Sequence, residues 1–377
     1  MKKIISTLLA FCMVLSVSIT AFASEKPKSD DVLKEIESTI NYLTNGVTAY
    51  DVDDAVTYYY LTETGSGADK FYDAFAESVL KSLQDNGGKI IGSYGENITT
   101  TAACVSIIGG FDNPAEFHGY NLVELLENSD TSTVTNPYYY DIVISTASLY
   151  CSDELIKTLC DDFINNYYTL GSGMDYYGNG CDNDAMFASA ISQSLLSEYT
   201  SYAKDAIEVM DKNYKVDGGY CFNPAYSTAS SPDSVGLALR AKCAYFLFAG
   251  EPAQADFDEL ATIYNQALSF KGATPGSYNY DGAESILSST DILKGLNLYY
   301  YLLLLNEKNE EVTETTTTAA TAAPTTKPSA QSTTTAKANT SKKSPSTGGN
   351  TITALCVAVL GAGLITAVAR KKGGKEL

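Results

Sequence analysis

The chain has 377 residues, and its 45 acidic against 25 basic residues give a net charge of −20. This acidity argues against nucleic acid or an anionic membrane as the partner. With 45% hydrophobic and 19% charged residues, the composition is that of a globular protein, which excludes wholesale disorder. A single histidine excludes sites that need two imidazoles. We expect no cofactor.

The first 23 residues have the pattern of a secretory signal peptide. Two lysines supply a positive start, an apolar run covers residues 4–19, and Ala21-Phe22-Ala23 is a small-x-small cleavage site. The apolar run is short for a membrane anchor. The sequence therefore predicts a signal peptide over residues 1–23 and a secreted chain that begins at Ser24.

Residues 29–306 form the predicted folded domain. Apolar residues recur there at three- and four-residue spacing, which is typical of helices, and long alternating strand patterns are absent. The domain has 12 basic and 39 acidic residues, so its net charge of −27 is more negative than that of the whole chain. Twelve helices are predicted, near residues 29–46, 53–63, 67–85, 98–110, 119–128, 137–149, 153–169, 182–197, 199–213, 232–249, 255–270 and 285–305.

The even-numbered predicted helices differ in composition from the odd-numbered ones. Helices 182–197 and 232–249 are apolar or small almost all round, whereas helix 153–169 carries charges on one face. A helix that is apolar all round is buried, and an amphipathic helix lies outside it. Alternating outer and inner helices with a period of about 45 residues indicate a helical-hairpin array. Because six hairpins close into a double ring, we predict an all-α fold, an (α/α)6 toroid.

The loops that enter the predicted inner helices resemble one another. Gly180-Cys181-Asp182-Asn183-Asp184-Ala185 precedes one inner helix, and Asp217-Gly218-Gly219-Tyr220 and then Pro232-Asp233-Ser234 precede the next. These loops, with the outer helix at Gly119-Tyr120-Asn121-Leu122, resemble the prenyltransferase and squalene-cyclase repeats of the terpenoid-cyclase-like α/α toroids. The resemblance covers most of residues 29–306. It implies the toroid fold and leaves the activity open.

The resemblance implies two kinds of chemistry. Cyclases of this superfamily protonate their substrate with an acid of a DxDD-like motif. Asp182-Asn183-Asp184 matches the first three positions of that motif, and Ala185 stands where the last acid would be. Buried, paired carboxylates can hold a proton and act as a general acid, so Asp182 and Asp184 are the candidate catalytic residues. The alternative is that they cap the following helix. Protein prenyltransferases bind zinc through Asp, Cys and His. Cys181 and the distant His118 give only a fragment of such a site, so no metal is expected.

Carboxylates and tyrosines gather at the predicted starts of the inner helices. Glycosidases with (α/α)6 barrels use paired carboxylates in the loops at one end of the barrel, and tyrosines beside acids bind sugars, cations or peptides. The lack of Trp weakens the sugar alternative, and the tyrosines have the alternative role of bridging helix ends to solvent. The candidate ligand-binding residues are Asp53, Glu96, Asp141, Asp233, Glu284, Tyr94, Tyr177, Tyr220 and Tyr278.

We expect these acids to divide into two roles. Asp53 and Asp233 are expected to cap helices, and Asp182 or Asp184 to reach a solvent-open funnel with a raised pKa. Cys104 and Cys243 lie in apolar helices and are expected to be buried. The sequence leaves open a disulfide between Cys181 and Cys221, because an exported protein can form one.

The C-terminal part has the order of a cell-wall sorting signal. Residues 307–343 are dominated by Thr, Ala, Ser and Pro, a composition that favours a disordered linker. The motif Ser344-Pro345-Ser346-Thr347-Gly348 precedes an apolar span at 351–369, the predicted transmembrane segment, and a basic tail at 370–377. This order resembles the LPxTG-type signal of Gram-positive surface proteins. It implies that a sortase cleaves after Thr347 and joins the chain to peptidoglycan; the alternative is a plain C-terminal membrane anchor.

Taken together, these features favour a cell-wall-anchored surface protein whose toroid binds a ligand or partner, because the anchoring devices are explicit and the catalytic motifs are degraded. The expected partners are a sortase, peptidoglycan and an unidentified ligand, with no nucleic acid. One alternative is an extracellular toroid enzyme, either similar to terpenoid cyclases and prenyltransferases or active on carbohydrate. The other is a cobalamin-type carrier, although the chain has no separate β domain to hold that ligand.

Overall fold

The computed structural model of the chain is mainly helical. The structure describes residues 26–66, 70–134 and 136–321, with side chains as far as residue 308. These residues form twelve α-helices and six short strands, so the prediction of an all-α fold is confirmed. None of the helices in these ranges is both long enough and apolar enough to cross a bilayer. The predicted signal peptide, sorting motif, transmembrane segment and basic tail lie outside the described residues.

Each predicted helix has a counterpart in the structure. The bounds are α1 Ser29–Leu43, α2 Ala55–Thr62, α3 Tyr72–Asp85, α4 Ile98–Gly109, α5 Leu122–Glu127, α6 Tyr140–Tyr150, α7 Asp153–Tyr167, α8 Cys181–Gln193, α9 Thr200–Tyr214, α10 Pro232–Phe248, α11 Gln254–Ser269 and α12 Ile286–Thr321. The last helix continues past its predicted end at residue 305, so the linker predicted from residue 307 begins within a helix. The Glu and Lys residues that follow Asn306 are good helix formers and sustain it.

The even-numbered helices pack on one another in sequence. Helix α2 contacts α4, α4 contacts α6, and the series continues through α8 and α10 to α12, which contacts α2 again. Helix α8 is buried at every position except Asp182, which matches its apolar composition. The odd-numbered helices cover this inner set: α1 lies on α12, α7 on α6, α9 on α8 and α11 on α10. Their amphipathic sequences bury one face against the inner helices.

Helices α10 and α12 approach so closely that no side chain fits between them. A Cβ atom on Gly236 would lie 2.5 Å from the carbonyl oxygen of Asp291, and a Cβ atom on Gly295 would collide with the carbonyl oxygen of Gly236. Both glycines are therefore required by backbone contact between two inner helices.

Three short hairpins precede three successive inner helices. Each is an antiparallel pair of two- or three-residue strands, and each carries the chain from an outer helix to the next inner helix. The pairs are β1 (Tyr168–Thr169) with β2 (Gly173–Met174), β3 (Lys215–Val216) with β4 (Gly219–Tyr220), and β5 (Tyr278–Tyr280) with β6 (Ala283–Ser285). The hairpins bring the loops of α8, α10 and α12 to the end of the bundle at which these helices begin.

The two ends of the folded region meet. The carboxylate of Glu307 on α12 accepts hydrogen bonds from the backbone N–H of Ser29 at 2.9 Å and from its hydroxyl at 2.5 Å. Helix α1 lies along α12. The first and last helices are therefore adjacent.

Candidate functional site

A groove of about 590 Å³ lies where α8 and α10 begin, beside the β5–β6 hairpin. Three carboxylates line it together with aromatic side chains, and we call it the acidic groove. Its main lining residues are Asp182, Asp233, Asp281, Phe222, Tyr226, Phe270 and Tyr280. The groove lies at the end of the bundle where the sequence predicts a mouth lined by acids and tyrosines.

Asp182 begins α8 and is the predicted catalytic candidate that reaches the groove. Its Oδ1 accepts a hydrogen bond from the hydroxyl of Ser234 on α10 at 2.6 Å. Burial raises the pKa of Asp182 to about 7, and the nearby charges of Asp291 and Asp233 add to the rise, against the hydrogen bond from Ser234. Near neutral pH this carboxyl is therefore divided between its protonated and ionised forms.

Asp233 lies in the first turn of α10 and is only partly exposed. It was expected to cap this helix, but the N-cap position belongs to Ser231 and no side chain makes a capping hydrogen bond there. The capping prediction for Asp233 is therefore wrong. Its Oδ1 is buried and makes no hydrogen bond of normal geometry in the described residues. Burial raises the pKa of Asp233 and the charge of Asp291 raises it further, whereas the Ser288 hydroxyl acts as a donor and lowers it.

Asp291 and Lys294 are close enough to Asp182 and Asp233 to affect their pKa values, and the sequence did not predict this. Asp291 is buried one turn into α12 and forms an ion pair of 2.8 Å with Lys294. Asp291 makes ionisation of Asp182 and Asp233 harder, whereas Lys294 makes it easier. The spacing of an acid and a base three residues apart was the available signal.

Four exposed tyrosines surround this end of the bundle. Tyr226 is 83% exposed and Tyr280 is 47% exposed at the groove itself. Tyr94 and Tyr177 are each 94% exposed, on the loops that lead into α4 and α8. An exposed phenol ring offers a flat apolar face and a hydroxyl to a ligand. Tyr94 and Tyr177 are thus accessible, as a ligand-binding role requires.

Tyr220 and Tyr278, by contrast, are fully buried. The hydroxyl of Tyr220 donates to Asp211 at 2.5 Å, and the backbone N–H of Tyr278 donates to the hydroxyl of Ser289 at 3.0 Å. Tyr220 belongs to strand β4 and Tyr278 to strand β5, and both side chains are buried instead of pointing into solvent. Their place in the sequence at loop positions did not reveal this, because the hairpins fold the loops back on the helices.

Asp184 is also buried and does not line the groove. Its Oδ1 accepts a hydrogen bond of 2.7 Å from the backbone N–H of Met174, and its Oδ2 has no partner among the described residues. Burial raises the pKa of Asp184 to about 7, and the Met174 N–H opposes this rise. Of the two catalytic candidates, only Asp182 faces the groove; Asp184 holds the β1–β2 hairpin to α8.

Asn183 between them fixes the loop at residues 174–180. Its side-chain amide donates to the carbonyl oxygens of Gly178 at 2.7 Å and Tyr176 at 3.1 Å, with a longer contact to Met174. Its side-chain oxygen accepts the Tyr138 hydroxyl at 2.5 Å. The three residues of the Asp-Asn-Asp sequence therefore have different roles. Asp182 lines the groove, Asn183 holds the loop at residues 174–180, and Asp184 holds the β1–β2 hairpin to α8.

Asp53, Glu96 and Glu284 are exposed, and none of them lines the groove. Asp53 accepts the backbone N–H of Ser93 at 2.6 Å and also the Ser93 hydroxyl, and these bonds lower its pKa. Glu96 pairs with Lys89 at 2.7 Å. Glu284 accepts the backbone N–H of Thr274 at 2.7 Å, which lowers its pKa.

The capping role expected for Asp53 belongs to its neighbour Asp51. The Asp51 side chain accepts the backbone N–H of Asp53 at 2.8 Å and caps the short 3₁₀ turn Val52–Asp54. The capping prediction for Asp53 is wrong by two residues, because the cap precedes the 3₁₀ turn and not α2 itself.

Asp141 belongs to a buried charge cluster among the inner helices. Arg240 on α10 donates to Asp141 at 2.8 and 3.0 Å and to both carboxylate oxygens of Glu63 at 3.0 Å. Its remaining N–H bonds the carbonyl oxygen of Lys294 at 3.0 Å. Neither Arg240 nor Asp141 is exposed. Asp141 is therefore structural at this point, and the charged Arg240 in a mostly apolar helix was the signal that sequence reasoning missed.

Metal and thiol chemistry find little support in the described ranges. No three His, Cys, Asp or Glu residues there are placed to hold a metal ion. The six cysteines within these ranges are free, and Cys104 and Cys243 are buried as expected. The disulfide left open between Cys181 and Cys221 is not formed, and the Cys181 thiol lies 3.9 Å from the carbonyl oxygen of Ser234.

No protein-family model matches the chain, and no curated protein has significant similarity to it.

Proposed function

We propose that this chain is an exported, cell-wall-anchored surface protein whose helices form an (α/α)6 toroid, and that its acidic groove binds a cationic ligand. The closed order of contacts from α2 through α12 and back to α2 supports the toroid. The signal-peptide pattern and the LPxTG-like motif support export and anchoring. The resemblance to terpenoid-cyclase-like toroids agrees with the same architecture.

One feature of the groove supports ligand binding above all. Asp182 and Asp233 line one concave, solvent-open space, and burial raises the pKa of both carboxyl groups. Burial makes the ionised form of a carboxyl costly unless an opposite charge pairs with it. An ammonium or guanidinium group supplies both a hydrogen-bond donor and the opposite charge.

The aromatic rings of the groove fit the same class of ligand. Tyr226 and Tyr280 are exposed aromatic residues in the same groove as Asp182 and Asp233. A cation that lies over the face of such a ring is attracted to it electrostatically. The strongly negative charge of the whole domain also raises the rate at which a cationic ligand arrives. A basic peptide segment with several Lys or Arg side chains is the class that uses all of these features.

Binding of a cation is expected to depend on pH. Asp182 has a pKa raised to about 7, so at pH 6 it is mostly neutral and at pH 8 mostly ionised. A bound cation favours the ionised form and thereby releases a proton. Affinity should therefore rise between pH 6 and pH 8, and calorimetry in buffers of different ionisation enthalpy should detect the proton release.

The test compares an oligolysine peptide with the same peptide acetylated on every lysine. Asp182→Asn and Glu96→Gln each remove one carboxylate from the same end of the domain, but only Asp182 lies in the groove. We expect Asp182→Asn to weaken oligolysine binding by about tenfold and Glu96→Gln by less than about twofold. Equal losses in the two variants, or equal binding of the acetylated peptide, would refute a specific groove site.

A second candidate function is an extracellular carbohydrate-active enzyme. The observation in its favour is the pKa of Asp182 near neutrality at a groove wall that also carries Asp233, since a general acid and a second carboxylate are what glycoside hydrolysis needs. Incubation with wall glycans and assay for new reducing ends would test it. Activity that disappears in Asp182→Asn would favour the enzyme over the binding domain.

Anchoring has its own test, independent of the groove. Material released from the cell wall should begin at Ser24 and end at Thr347, which mass spectrometry can establish. Recovery of peptides that contain Arg370 or Lys371 from wall-bound protein would argue for a plain membrane anchor instead.

A further inference from the structure

Four tyrosines from three segments of the chain form one aromatic surface beside the acidic groove, and we call it the tyrosine patch. Its members are Tyr138, which precedes α6, Tyr167 at the end of α7, and Tyr176 and Tyr177 in the loop before α8. The ring of Tyr176 contacts the other three, with centroid distances of 4.5 Å to Tyr177, 5.9 Å to Tyr138 and 6.3 Å to Tyr167. Three of these residues are partly exposed, and Tyr177 is 94% exposed. The patch is therefore continuous and open to solvent at Tyr177.

The tyrosine patch adjoins the acidic groove. The side-chain amide of Asn223, a residue that lines the groove, donates to the carbonyl oxygen of Asn179 at 2.8 Å. Asn179 belongs to the loop at residues 174–180, which carries two of the four tyrosines. Burial raises the pKa of Tyr138, and the charge of Asp182 raises it further, which places this phenol near a groove acid. One extended ligand can therefore contact both the groove and the patch.

The loop holds Tyr177 in its exposed position. The φ angle of Tyr177 is 54°, a left-handed conformation that bulky residues rarely adopt. The side-chain amide of Asn183 donates to the carbonyl oxygens on either side of it, at 3.1 Å to Tyr176 and at 2.7 Å to Gly178. Because the backbone is fixed on both sides of the ring, the loop loses little conformational freedom when a ligand stacks on Tyr177.

The charge around the patch determines which ligand chemistry fits it. Asp175 in the same loop is exposed, and the adjoining groove contributes Asp182, Asp233 and Asp281. These acids repel anions and attract cations, and a cation over the face of a tyrosine ring is also attracted by the ring. The guanidinium group of Arg is planar and weakly hydrated and stacks on aromatic faces, whereas the Lys ammonium is compact and strongly hydrated. An Arg side chain therefore fits the patch better than a Lys side chain.

We propose that the tyrosine patch is an arginine-binding subsite, and that the ligand is a basic peptide segment that stacks an Arg side chain on Tyr177 and places a second cationic side chain beside Asp182. This assignment rests on the binding function proposed for the acidic groove and adds the type of side chain that the domain prefers. It predicts a preference for Arg over Lys that depends on a residue outside the groove.

The probes are hexaarginine and hexalysine, which carry the same charge, and their binding to the full chain is measured by calorimetry. We expect hexaarginine to bind about threefold more tightly, because only its side chains stack well on Tyr177. Tyr177→Asn removes the ring but keeps a residue that tolerates a positive φ, and it should lower this preference to less than about 1.5-fold. Tyr177→Phe retains the ring and should retain the preference. The matched control is Tyr94→Asn, which removes an equally exposed ring from the loop before α4 and should leave the ratio of the two affinities unchanged.

The outcomes separate this subsite from the function proposed for the groove. Asp182→Asn should weaken the binding of both peptides and leave their ratio nearly the same. Equal affinities of the two peptides for the natural chain, or an equal change of the ratio in Tyr94→Asn and Tyr177→Asn, would overturn the arginine subsite and leave the groove proposal standing. A preference that persists in Tyr177→Asn would place the Arg side chains in the groove. If neither peptide binds the natural chain, the groove function itself is refuted.

Discussion

Replacement of Arg240 by Met tests how much the buried charge cluster of Arg240, Asp141 and Glu63 contributes to the free energy of unfolding. Arg240 has no exposure to solvent and uses all five of its N–H groups, two on Asp141, two on Glu63 and one on a backbone carbonyl. Met fills a similar volume but supplies no donor and no charge. In Arg240→Met two carboxylates remain inside the protein without their common partner.

The expected cost follows from that arrangement. Removal of one partner from a buried ion pair or triad typically lowers the free energy of unfolding by about 3–5 kcal/mol. The Asp141 side chain is fully buried and the Glu63 side chain is only 10% exposed, so solvent cannot replace the lost contacts. For a domain of this size, such a loss corresponds to a thermal midpoint lower by about 10 °C.

The assay is urea unfolding followed by far-UV circular dichroism, since the chain has no Trp for fluorescence. Addition of Asp141→Asn should recover part of the loss. Asn retains an acceptor for Ser189 while it removes one of the two charges.

The matched control is Lys242→Met on the same helix. Lys242 is nearly buried as well, but its partners Asp211 and Glu259 have side-chain exposures of 32% and 27%. Water can solvate these partners, so the expected loss is about 1 kcal/mol. A loss in Arg240→Met that is below this value would refute the reasoning about the buried cluster.

Three further predictions concern the hairpins and the contact between inner helices. Burial raises the pKa of Asp184 to about 7, so the folded state binds an extra proton and loses stability as the pH rises from about 4 to 7. Asp184→Asn should flatten that fall, and an unchanged pH slope in urea unfolding would contradict it. Gly236→Ala places a Cβ atom 2.5 Å from a carbonyl oxygen of α12 and should cost about 1–3 kcal/mol in the same assay; a gain in stability would contradict the close approach. Asn183→Ala removes the amide that holds residues 174–180, and hydrogen exchange should accelerate in that loop while α9 stays protected.

The sequence was sufficient to predict the helices because the composition of each inner helix indicates that it is buried. Helices α8 and α10 are apolar or small on every side, and only a helix surrounded by others can bury such a surface. The hairpins were not predicted because their strands are two or three residues long, too short for an alternating pattern to stand out.

The candidate site was predicted in part, and the limit was the range of the interactions. The sequence left open whether Asp182 or Asp184 reaches the groove. Asp182 lines it, because a residue in the first turn of an inner helix lies at one end of the bundle. The partner of Asp141 is 99 residues away, and no local pattern connects the two. Tyr220 occupies a loop position in sequence but is covered once β3 and β4 pair.

The joined ends of the domain have a mechanical consequence. A pull on the C-terminal side of α12 acts on a helix that contacts α1, α2 and α10 at once. In an open stack of helix pairs, the same pull would peel away the last pair against a single neighbour. Here α12 cannot leave without breaking its contacts with α1, α2 and α10 and the link between Ser29 and Glu307. A load along the chain is therefore shared by three helices before the domain begins to open.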